Sequence, residues 1–203
     1  MTGADIEQVS KGMGLDSRIG PQFLMAGVGY GGSCFPKDVD AFVRMADELG
    51  YSLDILKQVQ SINLEQREHL MSKLQKELWV VQDKKIAVLG LAFKPGTDDV
   101  RESPSLYFVP KLVEMGAELR LWDPIAAGKF DSIVPGHTYF DDPLACAEGA
   151  DAVLILTDWP ELKEMDLKAL KETMQCPIVI DGRNIMTPDQ AASEGLIYHS
   201  IGR

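Results

Sequence analysis

Residues 81–203 alternate short apolar segments with amphipathic ones, and this alternation constrains the fold more than any other feature of the sequence. Apolar segments such as Lys85–Gly90 and Glu118–Asp123, each closed by a turn residue, predict strands. Ser103–Pro104 and Asp142–Pro143 each pair a capping side chain with a proline, which predicts that a helix begins there. Strands that alternate with helices favour a parallel sheet with helices on both faces. We therefore expect a Rossmann-like α/β domain over this range.

Three further apolar segments complete the predicted sheet, at residues 151–156, 177–181 and 196–199. Another helix is predicted over residues 166–174. In a parallel sheet of this kind, ligands bind beyond the carboxyl ends of the strands. We therefore expect the loops after Gly90 and Trp122, and the segment Asp181–Asn184, to carry the binding residues.

Residues 1–80 predict a separate helical segment with one loop interruption. One helix should run from Pro36 to Leu49 and stop at Gly50. A second, over residues 53–78, would be about 39 Å long. A helix of that length at a domain border is typical of a dimer interface, although it can equally lie on its own domain. We expect a homodimer through residues 53–78.

Composition excludes several classes of protein. The net charge of −11 argues against nucleic-acid binding. No apolar stretch approaches the length of about 20 residues that crosses a membrane, and the N-terminus does not resemble a secretory signal. The three cysteines have no metal-site spacing and favour a reducing, cytoplasmic location. Cys146 and Cys176 are predicted to be small buried side chains.

The segment from Gly27 to Asp38 has the features of a covalent active site. Four glycines lie within six residues, at 27, 29, 31 and 32, and let backbone approach a ligand closely. Cys34 follows them and precedes Pro36, so the thiol should lie just before a helix N-terminus, where the helix dipole and Lys37 favour a thiolate. Asp38 lies about one turn further and could serve as a base. Nothing in the residues favours a cysteine–histidine hydrolase.

Basic residues at two predicted strand ends suit an anionic ligand. The loop after Gly90 lacks the G-x-G-x-x-G pattern of dinucleotide-binding folds, but it offers Lys94, Arg101 and a helix N-terminus to a phosphate. Arg183 can hold phosphate or sugar oxygens at two points. From the residues alone, a solvated charged loop and a surface arginine remain the alternatives.

Three ordered motifs resemble those of one family. Residues 18–24 (RIGPQFL) with residues 29–38 (GYGGSCFPKD) resemble the active-site segment of UDP-glucose 6-dehydrogenases in the UDP-glucose/GDP-mannose dehydrogenase family. Residues 93–104 (FKPGTDDVRESP) and 181–183 (DGR) resemble two later signatures, in the matching order. Because the motifs extend over most of the chain, the resemblance is specific.

The resemblance implies a reaction and a role for each site residue. Family enzymes oxidise the C6 alcohol of UDP-glucose to the acid with two NAD. Cys34 would form a thiohemiacetal and then a thioester, and Asp38 would help activate the water that cleaves it. Arg18 would reach the pocket of the neighbouring subunit, and Lys37 and Arg101 would contact NAD. The implied residues of the UDP-sugar pocket are Phe23, Met25, Gly29, Tyr30, Gly31, Phe93, Lys94 and Arg183.

The chain also departs from the family pattern. Family members carry an N-terminal NAD-binding domain, and a catalytic lysine and asparagine just upstream of this region, which this sequence lacks. The resemblance therefore implies a C-terminal half that is inactive by itself, with residues 81–203 as its UDP-sugar-binding domain. Met25 stands where some relatives carry a lysine near the substrate phosphates. Another UDP- or GDP-sugar dehydrogenase and a stand-alone nucleotide-sugar-binding or dimerisation module are the alternatives.

Overall fold

The computed structural model describes residues 3–203, and a six-stranded sheet forms its centre. The strands are Lys85–Leu89 (β1), Glu118–Trp122 (β2), Thr138–Phe140 (β3), Ala152–Ile155 (β4), Ile178–Asp181 (β5) and Ile197–His199 (β6). All neighbouring strands are parallel, in the order β3-β2-β1-β4-β5-β6. The predicted Rossmann-like parallel sheet is confirmed, and the change of direction beside β1 is where such sheets place a ligand crevice.

Nine helices accompany the sheet within residues 3–203: Ile6–Gly14 (α1), Phe35–Glu48 (α2), Asp54–Leu78 (α3), Ser105–Glu114 (α4), Ala127–Asp131 (α5), Pro143–Ala147 (α6), Pro160–Lys163 (α7), Leu167–Thr173 (α8) and Pro188–Ser193 (α9). The predicted cap of α6 is confirmed, since the Asp142 carboxylate accepts a hydrogen bond from the N–H of Ala145. The predicted cap of α4 was wrong: its N-cap residue is Pro104, without a side-chain cap hydrogen bond, and the Ser103 hydroxyl donates to the carbonyl oxygen of Leu91 instead. The sequence did not predict β3, α5, α7 or α9, because three to six residues are too few to establish a period. None of the nine helices is long and apolar enough to cross a membrane.

The long helix α3 divides into a buried half and an exposed half. Leu70, Leu74 and Leu78 are buried, and this end of the helix packs against β5. Ile55 and Ile62, in the first half, are 81% and 46% exposed. Apolar residues recur along the whole helix, but the chain's own sheet covers them only at its C-terminal end. The predicted division of the chain near residue 80 falls between α3 and β1, and stays a prediction.

A buried aspartate fastens the loop that follows β1. Asp123, directly after β2, is 4% exposed. Its carboxylate accepts five hydrogen bonds, from the backbone N–H groups of Leu91, Ala92, Ile125 and Ala126 and from the indole N–H of Trp159, at 2.7 to 3.0 Å. A buried carboxylate is stable only when hydrogen bonds replace its water, as these do. Asp123 thereby ties together the turns after β1, β2 and β4.

The three cysteines occupy different environments. Cys146 is fully buried, as predicted, and burial raises the pKa of its thiol to about 12. Cys176 is only half-buried, so the prediction of a buried side chain was wrong; it lies in the connection before β5 and not in the strand itself. Cys34 is exposed. Of these thiols, Cys34 is therefore the most accessible to a reactant.

Candidate active site

A cleft of about 700 Å³ opens where the glycine-rich loop, α3 and two strand-end loops meet. Of the nine residues predicted to bind a UDP-sugar, the structure places eight around it: Phe23, Met25, Gly29, Tyr30, Gly31, Phe93, Lys94 and Arg183. Phe93 and Lys94 follow β1, and Arg183 follows β5, so both segments leave the sheet at the carboxyl ends of its strands. The cleft therefore lies at the edge of the sheet where ligands are expected.

The helix α3 supplies a wall of this cleft that the sequence reasoning missed. Four of its residues line the cleft, Val59, Ile62, Asn63 and Gln66. Their spacing in the sequence predicts that they share one face of the helix. The spacing does not show that this face borders a ligand site, because that depends on how α3 packs on the sheet. Gly27, one of the four glycines singled out in the sequence, also lines the cleft.

The glycine-rich loop needs its glycines because other backbone passes very close. A Cβ atom on Gly31 would lie 2.2 Å from the carbonyl oxygen of Glu102. One on Gly32 would lie 2.7 Å from the ring of Phe93, and this residue also has a φ of +88°. Any side chain at either position would push the loop away from the segment that carries Phe93 and Lys94. The glycines thus bring two of the predicted motifs into contact.

Arg183 is held in the cleft by an ion pair. Its Nε and Nη2 donate to Oδ1 of Asp158 at 3.2 and 2.9 Å, while Nη1 lies beside Gly27, which lines the cleft. Burial alone would raise the pKa of Asp158, but Arg183, a backbone hydrogen bond and Lys163 together outweigh it and hold that pKa below its usual value. The ionised Asp158 therefore fixes one edge of the guanidinium and leaves the other for a ligand.

Lys94 brings a second positive charge to the cleft. Its side chain is exposed, with Nζ 5.2 Å from the centre of the Phe93 ring. The loop beneath is anchored by the hydroxyls of Ser103 and Ser105, which both donate to the carbonyl oxygen of Leu91. In a chain with a net charge of −11, two cations facing one cleft form the local basic cluster that an anionic ligand requires.

Cys34 lies at the junction of the glycine-rich loop and α2. It is the residue before the first turn of that helix, and its Sγ is 3.6 Å from the hydroxyl of Ser33. Asp38, one turn into α2, is exposed and pairs with Lys37 at 3.5 Å. Neither Cys34 nor Asp38 lines the cleft itself in the described part of the chain. The thiol is three residues from Gly31, which does line it.

Comparison with known proteins identifies the family of the chain. Residues 1–65 match the central domain, and residues 87–188 the UDP binding domain, of the UDP-glucose/GDP-mannose dehydrogenase family. The chain belongs to this family. It is 46% identical to the UDP-glucose 6-dehydrogenase TuaD of Bacillus subtilis, over 99% of this chain and 44% of that protein. It is 43% identical to a UDP-glucose 6-dehydrogenase of Pseudomonas aeruginosa, over 100% of this chain and 46% of that protein.

Solved structures of family members have the same fold. A UDP-glucose dehydrogenase from Pyrobaculum islandicum superposes with a TM-score of 0.88 at 36% identity, covering 98% of this chain and 44% of that one. A UDP-D-ManNAc dehydrogenase from Pyrococcus horikoshii superposes with a TM-score of 0.82 at 29% identity, covering 99% and 45%. The chain thus spans less than half the length of these relatives.

Arg18 is the one residue of the nine predicted to bind a UDP-sugar that lies outside the cleft. Its guanidinium pairs with the Asp16 carboxylate at 2.6 Å, and its side chain is 87% exposed. The interaction is local, between residues two positions apart, and leaves the arginine at the surface. Its predicted reach into the pocket of a neighbouring subunit stays a prediction.

The described residues do not form a complete site for NAD. In dinucleotide-binding sheets, N–H groups of the loop after the first strand face the pyrophosphate, but those of Leu91 and Ala92 are taken by the Asp123 carboxylate. Residues 27–32 carry the letters G-x-G-x-x-G, yet they lie between α1 and α2 and follow no strand within residues 3–203. The loop after β1 therefore does not fit an NAD pyrophosphate.

The two predicted NAD contacts are exposed cations outside the sheet. Arg101 donates from Nε and Nη2 to the Asp99 carboxylate at 2.9 and 2.7 Å, and this hydrogen bonding lowers the pKa of Asp99 to about 2. Lys37 lines a second cleft of about 350 Å³ with Glu102, the residue after Arg101. Both cations could touch a cofactor held by another domain, and that role stays a prediction.

Proposed function

We propose that this chain carries the nucleotide-sugar half of an NAD-dependent UDP-glucose 6-dehydrogenase. The observation that carries the proposal is the convergence of Gly29–Gly31, Phe93–Lys94 and Arg183 on one cleft, although they are far apart in sequence. Each of these segments belongs to a motif that resembles the family's own. The cleft volume of about 700 Å³ is within the range of small-molecule sites. Lys94 and Arg183 would bind the diphosphate, and the backbone of the glycine-rich loop would lie along the sugar.

In this proposal Cys34 is the nucleophile. Its thiolate adds to the carbon of the C6 aldehyde, the carbonyl π bond breaks, and the oxygen takes a proton to give a thiohemiacetal. Two oxidations, of the C6 alcohol to the aldehyde and of the adduct to a thioester, would each release one hydride and one proton, and each needs a hydride acceptor, which we propose to be NAD held by a separate domain. Water then attacks the thioester carbon, Asp38 takes its proton, and the Cys34 thiolate leaves from the acid. The aldehyde is never released, because it stays bonded to Cys34.

The proposal includes a cytoplasmic homodimer formed through the first half of α3. The support is the exposure of Ile55 there, and of Phe42 and Met45 on the neighbouring α2, which are 59% and 56% exposed. Arg18 would then serve the pocket of the partner chain. Free cysteines at positions 34, 146 and 176 agree with a reducing compartment.

We expect sedimentation velocity to give a dimer at micromolar concentration, because pairing would cover these apolar side chains. Ile55→Glu should shift the equilibrium toward monomer, since it would place a charge in the pairing face. The control Lys76→Glu lies on the exposed surface of the same helix, beyond the proposed contact. A monomer at all accessible concentrations would contradict the dimer.

The experiment that tests the proposed function supplies the hydride acceptor from outside. The chain alone, given UDP-glucose and NAD, is expected to form no NADH, because the described residues hold no complete NAD site. Adding the separately produced NAD-binding domain of the Bacillus subtilis relative should restore slow NADH formation, measured by absorbance. Cys34→Ser should then abolish UDP-glucuronate formation, measured by mass spectrometry.

The other outcomes of this experiment separate the alternatives. NADH formation by the chain alone would contradict the proposal. Turnover of UDP-N-acetylmannosamine or GDP-mannose in preference to UDP-glucose would make the chain a part of another sugar dehydrogenase. Tight UDP-glucose binding without turnover in any mixture would favour a binding module.

A further inference from the structure

We propose that Asn63 and Arg67 of α3 are positioning residues that fix the backbone of Tyr30 and, through it, the loop that leads to Cys34. The inference rests on the proposed function, in that it assigns how the nucleophile is aligned with the cleft. Neither residue belongs to the motifs that identify the family, and neither was singled out from sequence. Their assignment comes from contacts between α3 and the glycine-rich loop.

The side chain of Asn63 forms hydrogen bonds with both the backbone N–H and the carbonyl group of Tyr30. Its Oδ1 accepts from the N–H of Tyr30 at 2.7 Å, and its Nδ2 donates to the carbonyl oxygen of Tyr30 at 3.1 Å. The approach is possible because Gly29 has no side chain: a Cβ there would lie 2.4 Å from Oδ1 of Asn63. An asparagine amide has one donor side and one acceptor side, so it can pair with both backbone groups of Tyr30 where a charged or apolar side chain cannot.

Arg67, one helical turn beyond Asn63, links the backbone of Tyr30 to a second segment. Its Nη2 donates to the carbonyl oxygens of Tyr30 and Glu102, at 3.2 and 3.4 Å. Burial lowers the pKa of Arg67, more than the nearby Glu102 raises it. Its Nε is buried and has no partner among residues 3–203. Desolvating a guanidinium in this way costs free energy, so its place between two loops is not that of a surface arginine.

Further contacts tie the loop between Tyr30 and Cys34 at its other side. The N–H of Gly32 donates to the carbonyl oxygen of Arg101 at 3.1 Å. The ring of Tyr30 meets that of Phe35 edge to face, with centroids 4.7 Å apart. The four residues that follow Tyr30 are therefore held by α3 at one end and by α2 at the other. Without the contacts of Asn63 and Arg67, the α3 end of this loop is free to move.

The test separates alignment of Cys34 from binding of the nucleotide. In Arg67→Ala, whose side chain is not among those that line the cleft, UDP affinity measured by calorimetry should stay within about threefold of the unchanged chain, because Lys94 and Arg183 are untouched. In both Asn63→Ala and Arg67→Ala, shielding of Cys34 from iodoacetamide by UDP-glucose, measured by mass spectrometry, should fall about tenfold. Hydrogen exchange of residues 27–33 should accelerate while that of β1 and β4 is unchanged. Asn63→Asp keeps the acceptor and should give a smaller loss than Asn63→Ala.

Matched controls are Gln58→Ala and Lys76→Ala, exposed positions on the same helix that should behave as the unchanged chain. The positioning role is overturned if shielding by UDP-glucose is retained, or if UDP affinity falls in parallel with it, which would indicate a purely structural role. If the unchanged chain shows no shielding, the proposed function fails by itself. Hydrogen exchange then decides the inference: acceleration confined to the loop supports it, and unchanged exchange overturns it.

Discussion

Replacing Arg183 by alanine is expected to weaken UDP binding by about 10- to 100-fold, because one charge-assisted, two-point contact to an anion contributes about 1.5–3 kcal/mol. The guanidinium is already oriented before a ligand arrives, since Asp158 binds Nε and Nη2 and leaves Nη1 toward Gly27. The substitution also leaves the half-buried Asp158 without its main counter-charge, which adds repulsion against a diphosphate. Isothermal calorimetry with UDP measures the loss directly.

Three variants make this result specific to the cleft. Arg183→Lys keeps the charge but not the planar fork, so it should recover only part of the affinity. Lys94→Ala should cost less than Arg183→Ala, because the exposed ammonium is more strongly screened by water. Lys168→Ala removes a surface charge on α8 and should change nothing. Equal UDP affinity in Arg183→Ala and in the unchanged chain would place the nucleotide site elsewhere.

The strands and capped helices could be predicted because their signals are local. Lys85–Leu89 is an apolar run that ends at a glycine, and Asp142 caps α6 with its own side chain. Such features depend on a few neighbouring residues, so one sequence is enough to find them. The eight cleft residues, by contrast, were implied by the resemblance to the family, and the structure brings them around one cleft.

The remaining part of the site depends on packing and could not be predicted. Asn63 and Arg67 have ordinary helical neighbours, and only the way α3 crosses the glycine-rich loop gives them their contacts. The division of α3 into a covered and an exposed half has the same origin, because the apolar pattern of its sequence runs through both halves. Asp123 was likewise indistinguishable from a surface turn residue until the five donors around it were seen.

Asp123→Ala is expected to lower the free energy of unfolding by about 4 kcal/mol, among the largest effects of a single substitution in a domain of this size. Five N–H groups lose their acceptor together, four of them on backbone that cannot turn away. Water entering the gap would satisfy some of them, which keeps the cost below the sum of five separate losses. Urea unfolding followed by tryptophan fluorescence measures the difference.

Asp123→Asn sharpens this prediction, because it keeps the shape of the side chain and changes one acceptor oxygen into a donor. Wherever the new NH₂ group points, it faces N–H groups, so we expect about 2–3 kcal/mol of destabilisation without any cavity. Asp98→Ala, which removes an exposed carboxylate paired with Lys129, should cost under about 0.5 kcal/mol. Because Asp123 anchors the turn that precedes Phe93 and Lys94, the asparagine variant should also bind UDP more weakly under native conditions. Stability equal to that of Asp98→Ala would mean that the five hydrogen bonds do not hold this loop, and the anchoring of the cleft would need another cause.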